Sequence, residues 1–249
     1  MNEIDYKAFY DQIGRLNGWD FSKVKAASEG VLWDFFPEVT RHCKPSDICL
    51  DIGTGGGEAL LSIADCALLF VGIDQSAGMI ETARKRAEES GKPNVRFLQM
   101  DARRLEFPER FFQVVSCRHS PFDAAEVAKV LAQDGVFLTQ QVGEKDKLNV
   151  KEAFGRGQAW EAEEGALTSQ YVTELREAGF TDIRTFHYNA AEYYETAEDL
   201  LFLLKHTPII PEFGQREADF PILHQFIQDY TEDKGIRTNS ERYMIIAKK

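Results

Sequence analysis

The chain has 249 residues, of which 43% are hydrophobic and 28% are charged, a balance that is ordinary for a globular protein with a large core. Its formal net charge of −12 opposes the approach of a polyanion, so a nucleic-acid partner is disfavoured. No apolar run approaches the roughly 18 residues that a membrane span needs. The polar, acidic residues 1–5 do not resemble a secretion signal. The four cysteines show neither C-x-x-C nor zinc spacing, which favours reduced thiols, a cytoplasmic location and no metal site.

The first 40 residues are predicted to form helices with many aromatic side chains. Amphipathic spacing runs up to Gly18, and a second apolar stretch begins at Val31 and is expected to end at Pro37. We expect these aromatic side chains to pack the segment onto the rest of the protein as an N-terminal cap.

The stretch 48–61 predicts a buried strand, a tight turn and a helix. The turn contains four glycines: Gly53, Gly55, Gly56 and Gly57. Residues without Cβ let backbone approach a ligand closely, and a helix that begins near Gly57 offers N–H groups to a carboxylate or a phosphate. The dinucleotide pattern G-x-G-x-x-G fails because Glu58 occupies its third glycine position. A turn that only connects strand and helix remains the alternative.

Two more predicted strands end in an acid. The strand over 69–73 leads to Asp74, and a carboxylate there can accept hydrogen bonds from both hydroxyls of a ribose. Ser76 is a candidate N-cap for the helix that follows. The strand that begins at Val95 ends in Asp101 and the small Ala102, although a cap or turn acid is the alternative for Asp101. Parallel strands deliver their carboxyl ends to one edge of a sheet, so these acids are expected to lie near the glycine turn.

The pattern Asp51-x-Gly53-x-Gly55-x-Gly57, followed by Asp74 and Asp101, resembles the class I S-adenosylmethionine-dependent methyltransferases. The resemblance covers roughly residues 40–187 and 242–249. It implies an α/β fold with a doubly wound, seven-stranded, mostly parallel sheet, and S-adenosyl-L-methionine as the cofactor. The cofactor-binding residues that it implies are Asp51, Gly53, Thr54, Gly55, Gly57, Asp74, Gln75, Met79, Asp101, Ala102 and Arg118.

The resemblance also assigns parts of the cofactor to these residues. Asp51 and the glycine backbone would face the methionyl part, Asp74 the ribose, and Asp101 with Ala102 the adenine. Met79 would lie against the adenine, with core packing as the alternative. In the same way, Tyr10 or Trp19 of the N-terminal cap could close over the cofactor.

The fourth predicted strand, 112–117, departs from the family because Gln113 stands where an aspartate is common. His119 follows this strand at the place where the reactive methyl group should lie. It could act as a general base if the acceptor must lose a proton, while a structural role is the alternative. Arg118 could hold an anionic substrate or a neighbouring carboxylate.

The remaining elements complete the predicted domain. A helix over 123–131 and a strand over 136–142 are followed by a loose span, then by a helix over 170–178 that Thr168 is expected to cap. A sixth strand over 182–187 and a closing strand over 242–247 flank a long insertion, in which Thr196-x-x-Asp199 is a capping box. The domain prediction is an N-terminal helical cap, 1–40, a cofactor-binding domain, 41–188 with 241–249, and a helical insert, 189–240, as a lid or dimer surface.

The sequence therefore predicts a methyltransferase with a small-molecule acceptor and no membrane partner, and a homodimer is the assembly that we consider. An RNA methyltransferase is one rival, and a basic patch at Arg103, Arg104, Arg110 and Arg118 would support it. A nicotinamide-dependent oxidoreductase is disfavoured by Glu58. A module that binds the cofactor without catalysis is the third rival, because the cofactor motif does not show an acceptor site.

Overall fold

The fold is taken from a computed structural model that describes residues 24–249. The predictions for the first helix and for Tyr10 and Trp19 lie outside the described residues. Among the helices that the structure describes, none has both the length and the apolar character needed to cross a bilayer.

One mixed sheet contains nine strands among the described residues. The strands are β1 (Ala26–Glu29), β2 (Ile48–Ile52), β3 (Leu69–Asp74), β4 (Val95–Gln99), β5 (Phe112–Arg118), β6 (Leu131–Val142), β7 (Asp182–Tyr194), β8 (Thr231–Glu232) and β9 (Gly235–Lys248). Their order is β1-β7-β9-β6-β5-β2-β3-β4, and β8 pairs with β9.

The seven predicted strands are all present, but the prediction of a seven-stranded, mostly parallel sheet is not confirmed. Strands β2, β3, β4, β5 and β6 pair in parallel, whereas β7 and β9 are antiparallel to their neighbours, as are β1 and β8. The two additional strands are four exposed residues and two exposed residues long. Because neither has an alternating apolar pattern, the sequence carried no signal for them.

Eight helices of the described chain cover the sheet. They are α1 (Phe35–His42), α2 (Glu58–Ser62), α3 (Ala77–Ser90), α4 (Ala124–Val130), α5 (Leu148–Phe154), α6 (Ala166–Glu177), α7 (Ala197–His206) and α8 (Asp219–Tyr230). Helices α1, α2 and α3 pack with Cys49 of β2 in one core, and α4 and α6 pack with Leu50 and Ile52 in a second core on the opposite face. Successive side chains of β2 thus point to opposite faces, as expected of a strand that is buried on both sides.

Two predicted helix starts are confirmed by their caps. The Ser76 hydroxyl accepts the Met79 N–H at the start of α3, and Thr196 and Asp199 form the capping box of α7. Helix α1 differs from the prediction, because Pro37 lies in its first turn, where a missing N–H is tolerated, instead of ending an apolar stretch.

The start of α6 was also predicted wrongly, since Thr168 lies inside the helix. The helix begins after Gly165, and the carboxylate of Glu144 accepts the N–H groups of Gly165 and Leu167 at 3.3 and 2.6 Å. The acceptor therefore comes from a residue about twenty positions earlier in the chain, which a local sequence pattern cannot show.

Strands β7 and β9 are longer than predicted and pair without interruption from Asp182 with Lys248 to Tyr194 with Ile236. Both ends of the predicted insert, 189–240, are consequently strand rather than helix. The helices of the insert pack with α5 in a third core, which contains Leu200, Leu223 and Phe226. The sheet thus extends beyond the predicted cofactor-binding domain on one side, where this smaller helical layer packs.

Candidate active site

The predicted site residues follow parallel strands at one edge of the sheet. Strands β3 and β4 lie on one side of β2, and β5 and β6 lie on the other side. The strand order thus reverses between β2 and β5, and ligands of open α/β sheets bind outside the carboxyl ends of strands at such a point. The glycine turn, Asp74, Asp101 and Arg118 all lie at or just beyond these ends.

The glycine turn is held against β3 and against the loop after β5. The N–H groups of Gly53 and Thr54 both donate to the carbonyl of Ile73, at 2.9 Å. Gly53 has φ +72°, and a Cβ on it would lie 2.3 Å from the Cβ of Ser120. Glycine is therefore required at this position by backbone conformation and by space.

Asp74 connects the turn to α3. One carboxylate oxygen accepts the Gly55 N–H at 3.1 Å, and the other accepts the Ser76 N–H at 2.9 Å. The carboxylate therefore sets the relative position of the turn and the following helix at the place where the ribose was predicted to bind.

Asp51 is buried at the end of β2, beside β5. The hydroxyl of Ser116 donates to its carboxylate at 2.7 Å. Burial raises the pKa of Asp51 to about 6, although the Ser116 hydrogen bond and the charge of Arg118 act in the opposite direction. A cationic group bound near this carboxylate would stabilise its ionised form.

The third strand end has a more exposed acid. The carboxylate of Asp101 accepts the backbone N–H of Arg103 at 2.9 Å and pairs with the guanidinium of the same residue at 2.6 Å. Ala102 is half-buried beside it. Gln75 is half-buried, and its carbonyl accepts the Gln99 side-chain amide at 3.1 Å.

Met79 is placed differently from its predicted role. Its side chain is completely buried, and its backbone N–H donates to the Ser76 hydroxyl. A side chain with no accessible surface cannot lie against a bound adenine. The alternative of core packing is therefore the one that the structure supports.

Arg118 is the last residue of β5, and its guanidinium lies over the ring of Phe36, 5.6 Å from the ring centroid. None of the acids in the described chain lies within ion-pair distance of it. Burial among protein atoms and the charge of Arg242 lower the pKa of Arg118, while Asp34, Tyr188 and Asp51 act in the opposite direction. Arg118 is thus a cation with accessible surface and without a direct counter-ion among these residues.

His119 follows β5 in a left-handed backbone conformation, with φ +55°. Its backbone N–H donates to the carbonyl of Gln140 at 2.8 Å, and its Nε2 lies 3.0 Å from the side-chain Nε2 of Gln140. The side-chain Oε1 of Gln140 accepts the indole N–H of Trp33 at 2.8 Å. Three residues from separate parts of the chain therefore form one hydrogen-bonded series.

This series conflicts with the prediction that His119 is a general base. An indole N–H can only donate, so the Gln140 atom that it contacts is the oxygen, and the amide N–H₂ faces His119. The His119 Nε2 must then accept, which places the proton of a neutral ring on Nδ1. Although the residue keeps accessible surface, the protein atoms packed around its ring, followed by the charges of Arg242 and Arg118, lower the pKa of His119 well below its ordinary value. In this arrangement the ring offers a donor rather than a base.

The sheet register places further side chains beside Arg118. Gln140 pairs with Arg118 and with Met244, and two residues further along, Arg242 pairs with Tyr188. Neighbouring residues in register share a face, and Met244 packs in the same core as α1. We call this place the β5 recess and define it by Trp33, Phe36, Arg118, His119, Tyr188 and Arg242.

Two aromatic rings and a second guanidinium belong to the β5 recess. The ring of Trp33 packs edge-on against Tyr188, with centroids 4.5 Å apart. The guanidinium of Arg242 pairs with Asp146, which is buried. Sequence reasoning missed Trp33, Gln140, Tyr188 and Arg242. One available signal was the pair of amides, Gln140 and Gln141, at the end of an otherwise apolar strand.

The basic patch that would support an RNA substrate is partly offset by neighbouring acids. Arg103 pairs with Asp101, Arg104 pairs with Glu106 at 3.5 Å, and Arg118 lies in the β5 recess. At least three of the four arginines thus have local roles.

Comparisons with known proteins agree with this geometry. A family model described as a methyltransferase domain matches residues 49–135. The uncharacterized methyltransferase YcgJ of Bacillus subtilis (strain 168) is 37% identical over 106 residues, 40% of this chain and 42% of that protein. The aklanonic acid methyltransferase DauC of Streptomyces sp. (strain C5) is 38% identical over 87 residues, 34% of this chain and 40% of that protein. The matched residues thus span about two fifths of the length of each curated relative.

Two solved structures share the fold over most of the chain. The crystal structure of YcgJ from Bacillus subtilis has a TM-score of 0.59 at 22% identity and covers 86% of this chain and 97% of that chain. The [4+2]-cyclase SpnF has a TM-score of 0.59 at 18% identity and covers 98% of this chain and 95% of that chain. At such identities the likeness concerns the fold, and the second protein is named for a cyclisation and not for methyl transfer.

Proposed function

We propose that residues 49–135, which match the methyltransferase-domain family model, are a domain of the class I S-adenosylmethionine-dependent methyltransferases, and that the protein transfers the methyl group of S-adenosylmethionine to a small-molecule acceptor. One observation carries the proposal: three neighbouring parallel strands bring the glycine turn, Asp74 and Asp101 to one edge of the sheet. An oxidoreductase would need a third turn glycine at Glu58 instead, where the chain has an acid paired with Arg86.

The donors and acceptors at this edge fit the proposed cofactor. A close turn of Gly53, Thr54, Gly55 and Gly57 leads from Asp51, and carboxylates follow at the two adjacent strand ends. We propose that Asp51 and the turn bind the methionyl part, that Asp74 with Gln75 binds the ribose, and that Asp101 with Ala102 binds the adenine. Arg118 lies over Phe36 and near Arg242, which supports a place on the acceptor side of the site.

The chemistry requires alignment more than proton transfer. S-adenosylmethionine, when bound, supplies a methyl group on a positively charged sulfur; when a nucleophile attacks the methyl carbon in line, the carbon–sulfur bond breaks and the sulfur leaves as a neutral thioether. The residues of this chain orient the two reactants and exclude water. Ionised Asp51 would neutralise the amino group of the methionyl part, and the β5 recess would hold the acceptor at the end of β5.

A small acceptor is supported by the charge of the chain and by one relative. The net charge of −12 repels polyanions. DauC is named for the methylation of aklanonic acid. We also propose a cytoplasmic location, with the helical part of the insert, 195–234, as a lid or dimer surface. Phe220 of α8, which is 48% exposed, is one apolar contact point on that insert.

Calorimetric titration with S-adenosylhomocysteine tests the cofactor assignment, with NAD as the control ligand. We expect micromolar binding of S-adenosylhomocysteine and none of NAD. The variant Asp74→Asn should lower the affinity by about tenfold or more, because an amide cannot accept both the Gly55 and the Ser76 N–H through equivalent oxygens. The matched control is Asp65→Asn, since Asp65 is exposed and precedes β3 at the opposite sheet edge.

Unchanged affinity in Asp74→Asn, or binding of NAD alone, would refute the cofactor assignment. Turnover needs a separate measurement, because the [4+2]-cyclase SpnF shares this fold. Transfer of a labelled methyl group to members of a small-molecule library gives that measurement. Binding without any transfer across such a library would favour the cofactor-binding module without catalysis.

A further inference from the structure

The series Trp33–Gln140–His119 determines which hydrogen bond the β5 recess can offer. The indole of Trp33 fixes the orientation of the Gln140 amide, at 2.8 Å, and the amide fixes the protonation of His119 Nε2, at 3.0 Å. The proton of the neutral ring is therefore on Nδ1. This nitrogen has no hydrogen-bond partner in the described part of the chain, and the side chain has accessible surface.

The backbone supports a positioning role for this series. His119 has φ +55°, a left-handed conformation that is uncommon outside glycine, although histidine adopts it more often than most other residues. The bond from its N–H to the Gln140 carbonyl, at 2.8 Å, holds it there. Backbone and side chain of His119 are thus both tied to Gln140, which leaves only the Nδ1 side of the ring for a ligand.

Arg118 supplies a cation beside this donor. The two residues are adjacent in the chain, and the charge of Arg118 acts on His119. The ionisable groups that face Arg118, His119 and Arg242 from the packed elements are Asp34, Asp51, Asp146, Tyr188 and Glu192. Of these, Asp146 pairs directly with Arg242, while Arg118 has no acid at ion-pair distance in the described chain.

We propose that Arg118 and the Nδ1–H of His119 bind an oxyanion of the methyl acceptor, and that Trp33 and Gln140 are positioning residues that keep His119 as a donor. The rings of Trp33 and Tyr188 border these donors, so the acceptor is a flat ring compound that carries a carboxylate or phenolate group. This inference rests on the proposed function and assigns the acceptor side of the same site.

Nuclear magnetic resonance of the ¹⁵N-labelled histidine rings tests the donor directly. His119→Asn identifies the signals of His119. The ring should remain neutral with its proton on Nδ1 at about pH 6.5, where a free histidine is half protonated. In Gln140→Glu a carboxylate faces both Trp33 and His119, so the pKa of His119 should rise and the proton should appear on Nε2. Gln133→Glu, an exposed change at the other end of β6, is the matched control.

A proton on Nε2 in the unaltered protein, or an ordinary titration near pH 6.5, would overturn the inference without reference to any ligand. The same spectra in Trp33→Phe should show both tautomers, because the Gln140 amide can then rotate. A spectrum unchanged in both Gln140→Glu and Trp33→Phe would equally refute the positioning role.

Benzoate and its neutral analogue benzamide test the anion site on protein loaded with S-adenosylhomocysteine. We expect benzoate to bind more tightly and to shift the His119 Nδ1 signal. Arg118→Gln should weaken benzoate about tenfold to a hundredfold and leave benzamide unchanged. Arg41→Gln, at an exposed arginine of α1, is the control. His119→Asn keeps a donor near the Nδ1 position and tolerates positive φ, so it should retain most benzoate binding.

The outcomes separate this inference from the proposed function. No binding of S-adenosylhomocysteine by the unaltered protein refutes the proposed function. Binding of S-adenosylhomocysteine with equal affinities for benzoate and benzamide refutes the inference alone. Loss of S-adenosylhomocysteine affinity in Arg118→Gln would assign Arg118 to the cofactor and also overturn the inference. Loss of benzoate binding in Arg118→Gln, with S-adenosylhomocysteine binding retained, supports it.

Discussion

Asp51 lies at the end of β2 and is only 3% exposed, with the Ser116 hydroxyl as a hydrogen-bond donor at 2.7 Å. Burial raises its pKa from 3.8 to about 6. Between these values the folded protein holds more protons than the unfolded chain, so the contribution of Asp51 to stability falls as the pH rises through this range. The Ser116 hydrogen bond and the charge of Arg118 partly offset this cost of ionising the carboxylate.

We therefore predict that Asp51→Asn stabilises the unliganded protein at neutral pH. The difference in the free energy of unfolding between Asp51→Asn and the unaltered protein should grow in favour of the variant by up to about 3 kcal/mol from about pH 4 to about pH 7. This figure follows because one pKa unit corresponds to about 1.36 kcal/mol. Urea unfolding at the two pH values measures this change. The exposed Asp182→Asn should show little pH dependence of this kind. An equal effect of Asp51→Asn at both pH values would contradict the prediction.

At the scale of elements, caps show how local and distant residues share the same task. Helix α7 begins with a capping box that its own sequence supplies, as predicted. Helix α6 begins with a carboxylate from Glu144, which follows β6. The first arrangement is local and the second depends on the fold. Helix α7 packs in the third core, away from the glycine turn, so its cap should affect stability rather than cofactor binding.

Thr196→Ala should accordingly lower the free energy of unfolding by about 1 kcal/mol, because α7 loses the hydroxyl that accepts the Asp199 N–H. Thermal or urea unfolding measures the loss, and titration with S-adenosylhomocysteine should show unchanged affinity. Thr173→Ala, at an exposed position inside α6, removes a hydroxyl that bonds only to the preceding turn and should change stability by a few tenths of a kcal/mol. Equal losses of unfolding free energy in the two variants would show that the capping box stabilises the protein no more than an ordinary hydroxyl inside a helix.

At the scale of the whole molecule, the distribution of charge bears on the partner. The chain carries a net charge of −12. Two of the arginines that could have formed a basic face are paired with acids, Arg103 with Asp101 and Arg104 with Glu106. Long-range repulsion therefore opposes any approach to RNA, and the paired acids weaken the attraction that these arginines could offer to phosphates.

We predict no shift of a structured RNA by this protein in a gel assay, even at low salt, where electrostatic attraction is least screened. Addition of S-adenosylhomocysteine should not change the result. Binding that weakens steeply with salt would instead identify a local basic face and revive the RNA methyltransferase hypothesis.

Most of the sheet edge could be predicted because its signals are local. Apolar runs marked the strands that became β2, β3, β4 and β5, and the turn glycines and the acids after the strands followed from residue type and spacing. The sheet as a whole could not be predicted in the same way. Strands β1 and β8 are short and exposed, and the antiparallel pairing of β7 with β9 follows a connection of 40 residues, 195–234.

The sequence alone determined the glycine turn, the family resemblance and the acids at the strand ends, because backbone conformation and strand periodicity depend on neighbouring residues. Only the tertiary structure decided the protonation of His119. That property depends on Gln140, 21 positions away, whose amide is oriented by Trp33, 107 positions from Gln140. Likewise, Met79 is buried and Arg118 meets Phe36 because helices pack on the sheet. Hydrogen bonds and burial between distant segments exist only after the chain has folded, so no local pattern encodes them.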